Sequence, residues 1–223
     1  MYYIRKINIH FMKGVLTILF FLPFYLFSQT KIDYNNFNVD TATKVFTKVF
    51  LEFRDTAVHF GGGVPHVEHH PVLSEFPELR RPRWSDFLYE QVSLPNCKEL
   101  YKYSNKVFHV DREEWYETNI KTIRKEYYKG IKNVPQDELD NARLNYSENA
   151  LSMSKKFDTY EELASFIILS WEKSPSHKCG QRGVLYDTFS YNHYGLKIQD
   201  LFSCCVVYNP SNGYTKAVIN FIE

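Results

Sequence analysis

Phe202-Ser203-Cys204-Cys205-Val206-Val207-Tyr208, then Asn209-Pro210-Ser211-Asn212-Gly213, then Tyr214-Thr215-Lys216-Ala217-Val218-Ile219-Asn220-Phe221-Ile222 decide the fold class. The two flanking runs are apolar and β-branched at strand length, and the segment between them carries Asn212-Gly213, which supplies positive φ for a hairpin. Tyr194 to Ile198 reads as a further strand before them. Upstream the period changes. Ala42, Val45, Phe46, Val49, Phe50, Phe53 and Ala57 recur at helical spacing behind Asp40 as N-cap, and Gly61-Gly62-Gly63 stops that helix. A second clear helix starts at Thr159, whose side chain caps while Glu162 returns the bond, and it carries Leu163, Phe166, Ile167 and Trp171 before Pro175. Between these lie shorter helices, one with Val72, Leu73 and Phe76 and one with Trp84, Phe87, Leu88 and Val92. A short strand over Lys106–Val110 and a surface helix over 111–129 that closes at Gly130 come next. Helices first and an antiparallel sheet late predict an α+β layered domain.

The beginning of the chain predicts export. Arg5, Lys6 and Lys13 stand without an acidic neighbour, and an apolar run of 13 residues, Val15–Phe27, ends at Ser28. That is the order of a secretory signal peptide, and the run is shorter than the roughly 20 apolar residues that cross a bilayer. The predicted organisation is a signal peptide at 1–28, a polar linker at 29–39 and one domain at 40–223, secreted to a periplasm or the extracellular space, with no integral membrane segment after cleavage. Met12-Lys13 offers a second start that the sequence does not separate from Met1. The full chain has 27 basic and 26 acidic residues; losing the signal removes three basic ones and leaves a charge of about −2. A near-neutral domain has no general attraction for nucleic acid. The 18 Phe, 17 Tyr and 3 Trp predict an aromatic core.

Four cysteines, Cys97, Cys179, Cys204 and Cys205, allow one or two disulfides in an oxidising compartment, and the pairing is open, free thiols included. Cys204 and Cys205 are strand neighbours and face opposite ways, so at most one should reach a given partner. His59, His66, His69 and His70 with Glu68 fall within 12 residues, but Pro65, Pro71 and the glycines make an exposed histidine loop the better reading than a metal loop. No Gly-x-Ser-x-Gly and no phosphate-binding glycine frame is present.

Trp171-Glu172-Lys173-Ser174-Pro175-Ser176-His177 resembles the helix-end signature Trp-x-x-Ser-Pro-x-His of the CAP superfamily, the cysteine-rich secretory, antigen 5 and pathogenesis-related-1 proteins with their SCP-like domain. Ser147-Glu148-Asn149-Ala150, with Glu148 placed 29 residues before His177, resembles that family's Gly-Glu-Asn segment. Leu51-Glu52-Phe53-Arg54 and His70-Pro71-Val72-Leu73 resemble its first helix and the segment after that helix. The chain departs from the pattern at Leu51 (for Asn), Ser147 (for Gly), Ser174 (for a second Glu) and Lys178-Cys179-Gly180 (for Arg-x-Asn). The resemblance covers roughly residues 40–223. It implies a three-layer α-β-α sandwich with a central antiparallel sheet, and a cavity in which His177 and Glu148 are members. It places a first cavity histidine upstream of the glutamate, a position His109 fills, with the helix at 111–129 as an insertion.

Three readings of His109, Glu148 and His177 stay open. Two imidazoles and a carboxylate can hold zinc or another divalent metal with water in the open position; the same groups without metal can act as general acid and base; or they hydrogen-bond beneath the sheet as structure, no cofactor being required. The resemblance implies extracellular roles that differ widely between members, from lipid or sterol capture to toxin-like interaction and disputed peptidase activity. The aromatic richness and the missing second Glu favour a secreted module that binds a small apolar ligand, a lipid or a cell-envelope component over one that catalyses. Its rival is a metal-dependent hydrolase acting on peptide or cell wall through the His/Glu cavity.

Overall fold

The computed structural model describes residues 30–59, 82–108, 113–142, 144, 146–174 and 200–222. The expected signal peptide, the histidines at 66, 69 and 70, the short helix around Leu73, His109, Pro175, His177, Cys179 and the strand expected at Tyr194–Ile198 lie outside the described residues.

Helix α1, Val39–His59, comes first. Its cap is Asn38, whose side chain accepts from Thr41 N at 2.8 Å, while Asp40, expected as the cap, sits one residue inside the first turn. Both residue types suit the position; Asn38 wins because Tyr160 OH already holds its backbone N–H at 3.0 Å and fixes the approach of the chain. Residues 30–38, expected as a linker, run along the start of a later helix, with Ile32 N donating to Asp158 O and Tyr160 N donating to Thr30 O.

Strand β1, Arg83–Trp84, is followed by α2, Asp86–Leu88, a π turn at Tyr89–Ser93, and α3, Leu94–Tyr101. Trp84 therefore belongs to a strand, not to the helix expected there. Ser85 is the cap that separates them, its Oγ accepting from Leu88 N. Helix α4, Glu113–Tyr127, ends before Gly130, whose φ of 85° only glycine adopts freely. Short α5, Gln136–Asn141, occupies the polar segment after it. The guanidinium of Arg124 on α4 donates to the carbonyls of Ala142 and Asp140 at its end. Strand β2, Tyr146–Met153, leads to α6, Tyr160–Glu172. Thr159 Oγ1 accepts from Glu162 N as expected, although the Glu162 carboxylate returns its bond to Asp158 N rather than to Thr159. Strands β3, Leu201–Asn209, and β4, Tyr214–Ile222, form the expected hairpin, and Gly213 takes the positive φ of 74°.

The sheet order is β1-β3-β4-β2. The expected antiparallel sheet holds for β2, β4 and β3, but β1 runs parallel to β3, so the four-stranded sheet is mixed. Two backbone bonds hold β1 there, Arg83 N to Asp200 O and Ser85 N to Phe202 O. The Arg83 guanidinium then donates to the carbonyls of Glu126, Tyr127 and Lys129, occupying acceptors that the end of α4 would otherwise leave open. No strand forms over residues 106–108.

Strand alternation sends side chains to two cores. Phe202, Cys204 and Val206 of β3 and Ile219 and Phe221 of β4 pack with Phe46 and Phe50 of α1 and Ile167 and Trp171 of α6. On the opposite face Cys205, Val207, Val218 and Ala150 meet Cys97 and Leu100 of α3, and Leu201 and Ile222 meet Leu88, Val92, Ile123 and Tyr127. The aromatic richness is concentrated in the first core, where Phe46 and Trp171 meet edge to face with centroids 5.9 Å apart.

Asp200 enters β3 beside Arg54 of α1, and both are buried. Burial pushes the Asp200 carboxyl up to about 6, against the opposing pull of the Arg54 charge. An unfolded carboxyl of this kind ionises near about 4. The folded chain therefore holds an extra proton between about pH 4 and 6, and stability falls as pH rises through that window. Urea melts at both ends of the window are expected to show the native chain losing ground to Asp200→Asn as pH rises; a pH-independent difference contradicts this.

Candidate functional site

Glu148 lies on β2 directly across from Asn220 of β4, and Asn220 lies directly across from Ser203 of β3. All three side chains point to the α3 face, so a polar row crosses the sheet between apolar neighbours. The helical run opposite answers it residue for residue. Ser93, at the end of the π turn, donates to Asn220 Oδ1 at 2.5 Å and shares a hydrogen bond with Ser203 Oγ at 2.6 Å. Asn96, one turn on, donates through Nδ2 to Glu148 Oε2. Asn220 Nδ2 donates to the same oxygen at 2.8 Å and to Tyr146 OH, and Tyr146 OH lies 3.4 Å from it. Ser93, Asn96, Ser203 and Asn220 are fully buried.

The π turn brings Ser93 and Asn96 over the row together with Cys97 and Leu100, giving α3 a docking face of mixed polarity. The Glu148 carboxylate, which can only accept, fixes the orientation of the Asn220 amide: Nδ2 faces the carboxylate, and Oδ1 is left to accept from Ser93. Hydrogens from two amides and a phenol therefore converge on Glu148 Oε2 and anchor that oxygen. A metal held by Glu148 would have to bind through Oε1.

Among the described residues, no three His, Cys, Asp or Glu side chains gather closely enough to hold a metal ion. His109 and His177, expected beside Glu148, are outside the described residues. Trp171 is buried in the α1–α6 core and donates through Nε1 to Ala150 O at 3.4 Å, which ties the end of α6 to the strand that carries Glu148. Ser174 N donates to Trp171 O as the helix ends. Cys97, Cys204 and Cys205 are buried free thiols. Cys204 faces α1, with Sγ 3.2 Å from Thr47 Oγ1, and Cys205 faces Cys97 on α3.

A second buried polar group was not singled out from the sequence. Lys216 on β4 is fully buried, and its three ammonium protons have three acceptors, Ser104 O at 2.9 Å, Lys106 O at 3.0 Å and Ser152 Oγ at 2.6 Å. Burial lowers its pKa from the usual lysine value. Asn209 Nδ2 adds a bond to Tyr101 O, so the loop after α3 is pinned to the hairpin end of the sheet along its length. The signal that marks Ser203, Lys216 and Asn220 was present in the sequence. Each interrupts a run of residues buried on both faces, where a polar side chain requires partners.

The pinned loop displays apolar side chains. Tyr101 (37 %), Tyr103 (37 %) and Val107 (44 %) are three of the exposed large hydrophobics of the described residues. At the same end Lys106 lies over the Tyr103 ring, Lys156 over Tyr34 and Tyr208, and Lys155 over Phe157 and Phe166. The acidic groups nearby have partners: Glu99 pairs with Lys102, Asp33 accepts from Asn35 N and Asn36 Nδ2, Glu161 accepts from Thr30 N, and Glu162 accepts from Asp158 N. No helix among the described residues is long and apolar enough to cross a membrane. Compared with models of protein families, with curated proteins and with solved structures, the chain matches none.

Proposed function

We propose that this is an exported CAP-like domain that acts as a binding module for a cell-envelope surface. In this reading the Glu148 row is structural, and contact is made at the hairpin end. The observation that carries the reading is the loop at Tyr101–Val107. A buried ammonium, Lys216, is committed to holding an exposed segment of tyrosine, valine and lysine in one shape. Exposed aromatic side chains on a rigid backbone lose little entropy on binding, and tyrosine and lysine together suit an interface that is apolar below and anionic above. The α-β-α sandwich of the CAP fold belongs to the same proposal, supported by helices packed on both faces of the sheet and by the sequence resemblance.

Sedimentation of the mature protein with vesicles tests it. Binding is expected to vesicles containing phosphatidylglycerol, to weaken with salt, and to fall at least tenfold in Tyr101→Ser/Tyr103→Ser/Val107→Ser. No binding to any vesicle, or binding that the triple variant retains, overturns the proposal. Zinc-dependent hydrolysis of peptide or cell-wall substrate that His177→Ala abolishes would put the hydrolase in its place.

A further inference from the structure

Among the three described cysteines, side-chain direction separates the pairings that the sequence leaves open. Alternation along β3 turns Cys204 toward α1, where its Sγ meets Thr47 Oγ1 at 3.2 Å, and turns Cys205 toward α3. Cys97 on α3 stands over Cys205. Its Sγ lies 3.0 Å from the Cys205 carbonyl oxygen and 4.0 Å from that of Lys216, and the two cysteines pack in one buried cluster. Both are fully buried, with Ala150, Val207 and Val218 around them. Cys204 is on the wrong side of the sheet to compete.

We propose that Cys97 and Cys205 form a disulfide that bolts α3 to the central strand β3, with Cys204 remaining a free thiol. The reaction is exchange with the disulfide of a thiol–disulfide oxidoreductase or of oxidised glutathione. Two cysteine thiols lose two protons and two electrons and become one S–S bond, and the oxidant's disulfide is reduced to two thiols. For its oxidant in the cell the proposal rests on the export reading; the geometry does not. Attack requires a thiolate and an open approach, and the buried pair offers neither, since burial also pushes the Cys97 thiol up. The bond therefore forms as the chain folds and not afterwards. Asn96 is the neighbour of Cys97, so the same bolt holds the amide that reaches Glu148.

The test is refolding of the reduced chain in a glutathione redox buffer, followed by alkylation under denaturing conditions and peptide mapping. The expected product joins the peptides of Cys97 and Cys205, leaves Cys204 alkylated, and loses about 5 °C or more of melting temperature when reduced. Cys204→Ser is expected to keep the bridge and the shift, and reduced protein that has already folded is expected to resist alkylation at Cys97. A bridge from Cys97 to Cys204 or Cys179, or full alkylation of all four cysteines after refolding, overturns the proposal. Because refolding in glutathione needs no export, failure here is distinguishable from failure of the vesicle experiment.

Discussion

Asn220→Leu is expected to cost about 3–5 kcal/mol of folding stability, measured by urea denaturation. Leucine has the same number and branching of side-chain heavy atoms as asparagine and is bulkier, so the loss would come from polar groups left behind and not from a hole. Ser93, buried beneath α3, loses the Asn220 oxygen and keeps only Ser203, and the half-buried Glu148 loses one of the donors that hold Oε2. A buried hydroxyl short of an acceptor and a half-buried carboxylate short of a donor each carry a desolvation cost that an apolar side chain does not repay. A loss below about 1 kcal/mol would mean that water reaches the row.

Trp171→Ala is expected to lose a comparable amount, about 3–5 kcal/mol, by a different route. The indole is buried between Phe46 of α1 and the sheet, and its Nε1 donates to Ala150 O. Truncation opens a cavity among rigid aromatic neighbours and removes the tie between α6 and β2. Leu169, two residues earlier and 56 % exposed, is the control: Leu169→Ala should change stability by no more than about 0.5 kcal/mol. Equal effects at the two positions would mean that α6 faces the sheet in another rotation.

Helices α1 and α6 and the hairpin were legible because each carries a long, single period, and in the hairpin Gly213 meets a real conformational demand. β1 was not legible, since two residues hold no period, and Trp84 was assigned to the helix after it because only the Ser85 cap divides them. β2 was hidden by its composition. Tyr146-Ser147-Glu148-Asn149 puts polar groups on both faces, and the alternation that marks a strand appears only when Asn220 and Asn96 are known to receive Glu148. The same holds for the site. Glu148 was singled out through a motif, whereas the other members of its row, Ser93, Asn96, Ser203 and Asn220, come from four elements that sequence distance does not connect. Lys216 interrupts an apolar run and so carries a signal, but its partners come from the loop at Ser104–Lys106 and from Ser152, which the sequence does not connect to it.

The proposed structural role makes Glu148 a hydrogen-bond acceptor held by Asn96 and Asn220 and not the carboxylate of a metal centre. Equilibrium dialysis against zinc, run on the native chain and on Glu148→Gln beside their urea melts, tests that most directly. The expected result is equal zinc binding by both proteins, with the variant less stable by about 1–2 kcal/mol as the charge-assisted bonds from Asn96 and Asn220 weaken. One zinc per native chain, lost in Glu148→Gln with stability unchanged, would contradict it.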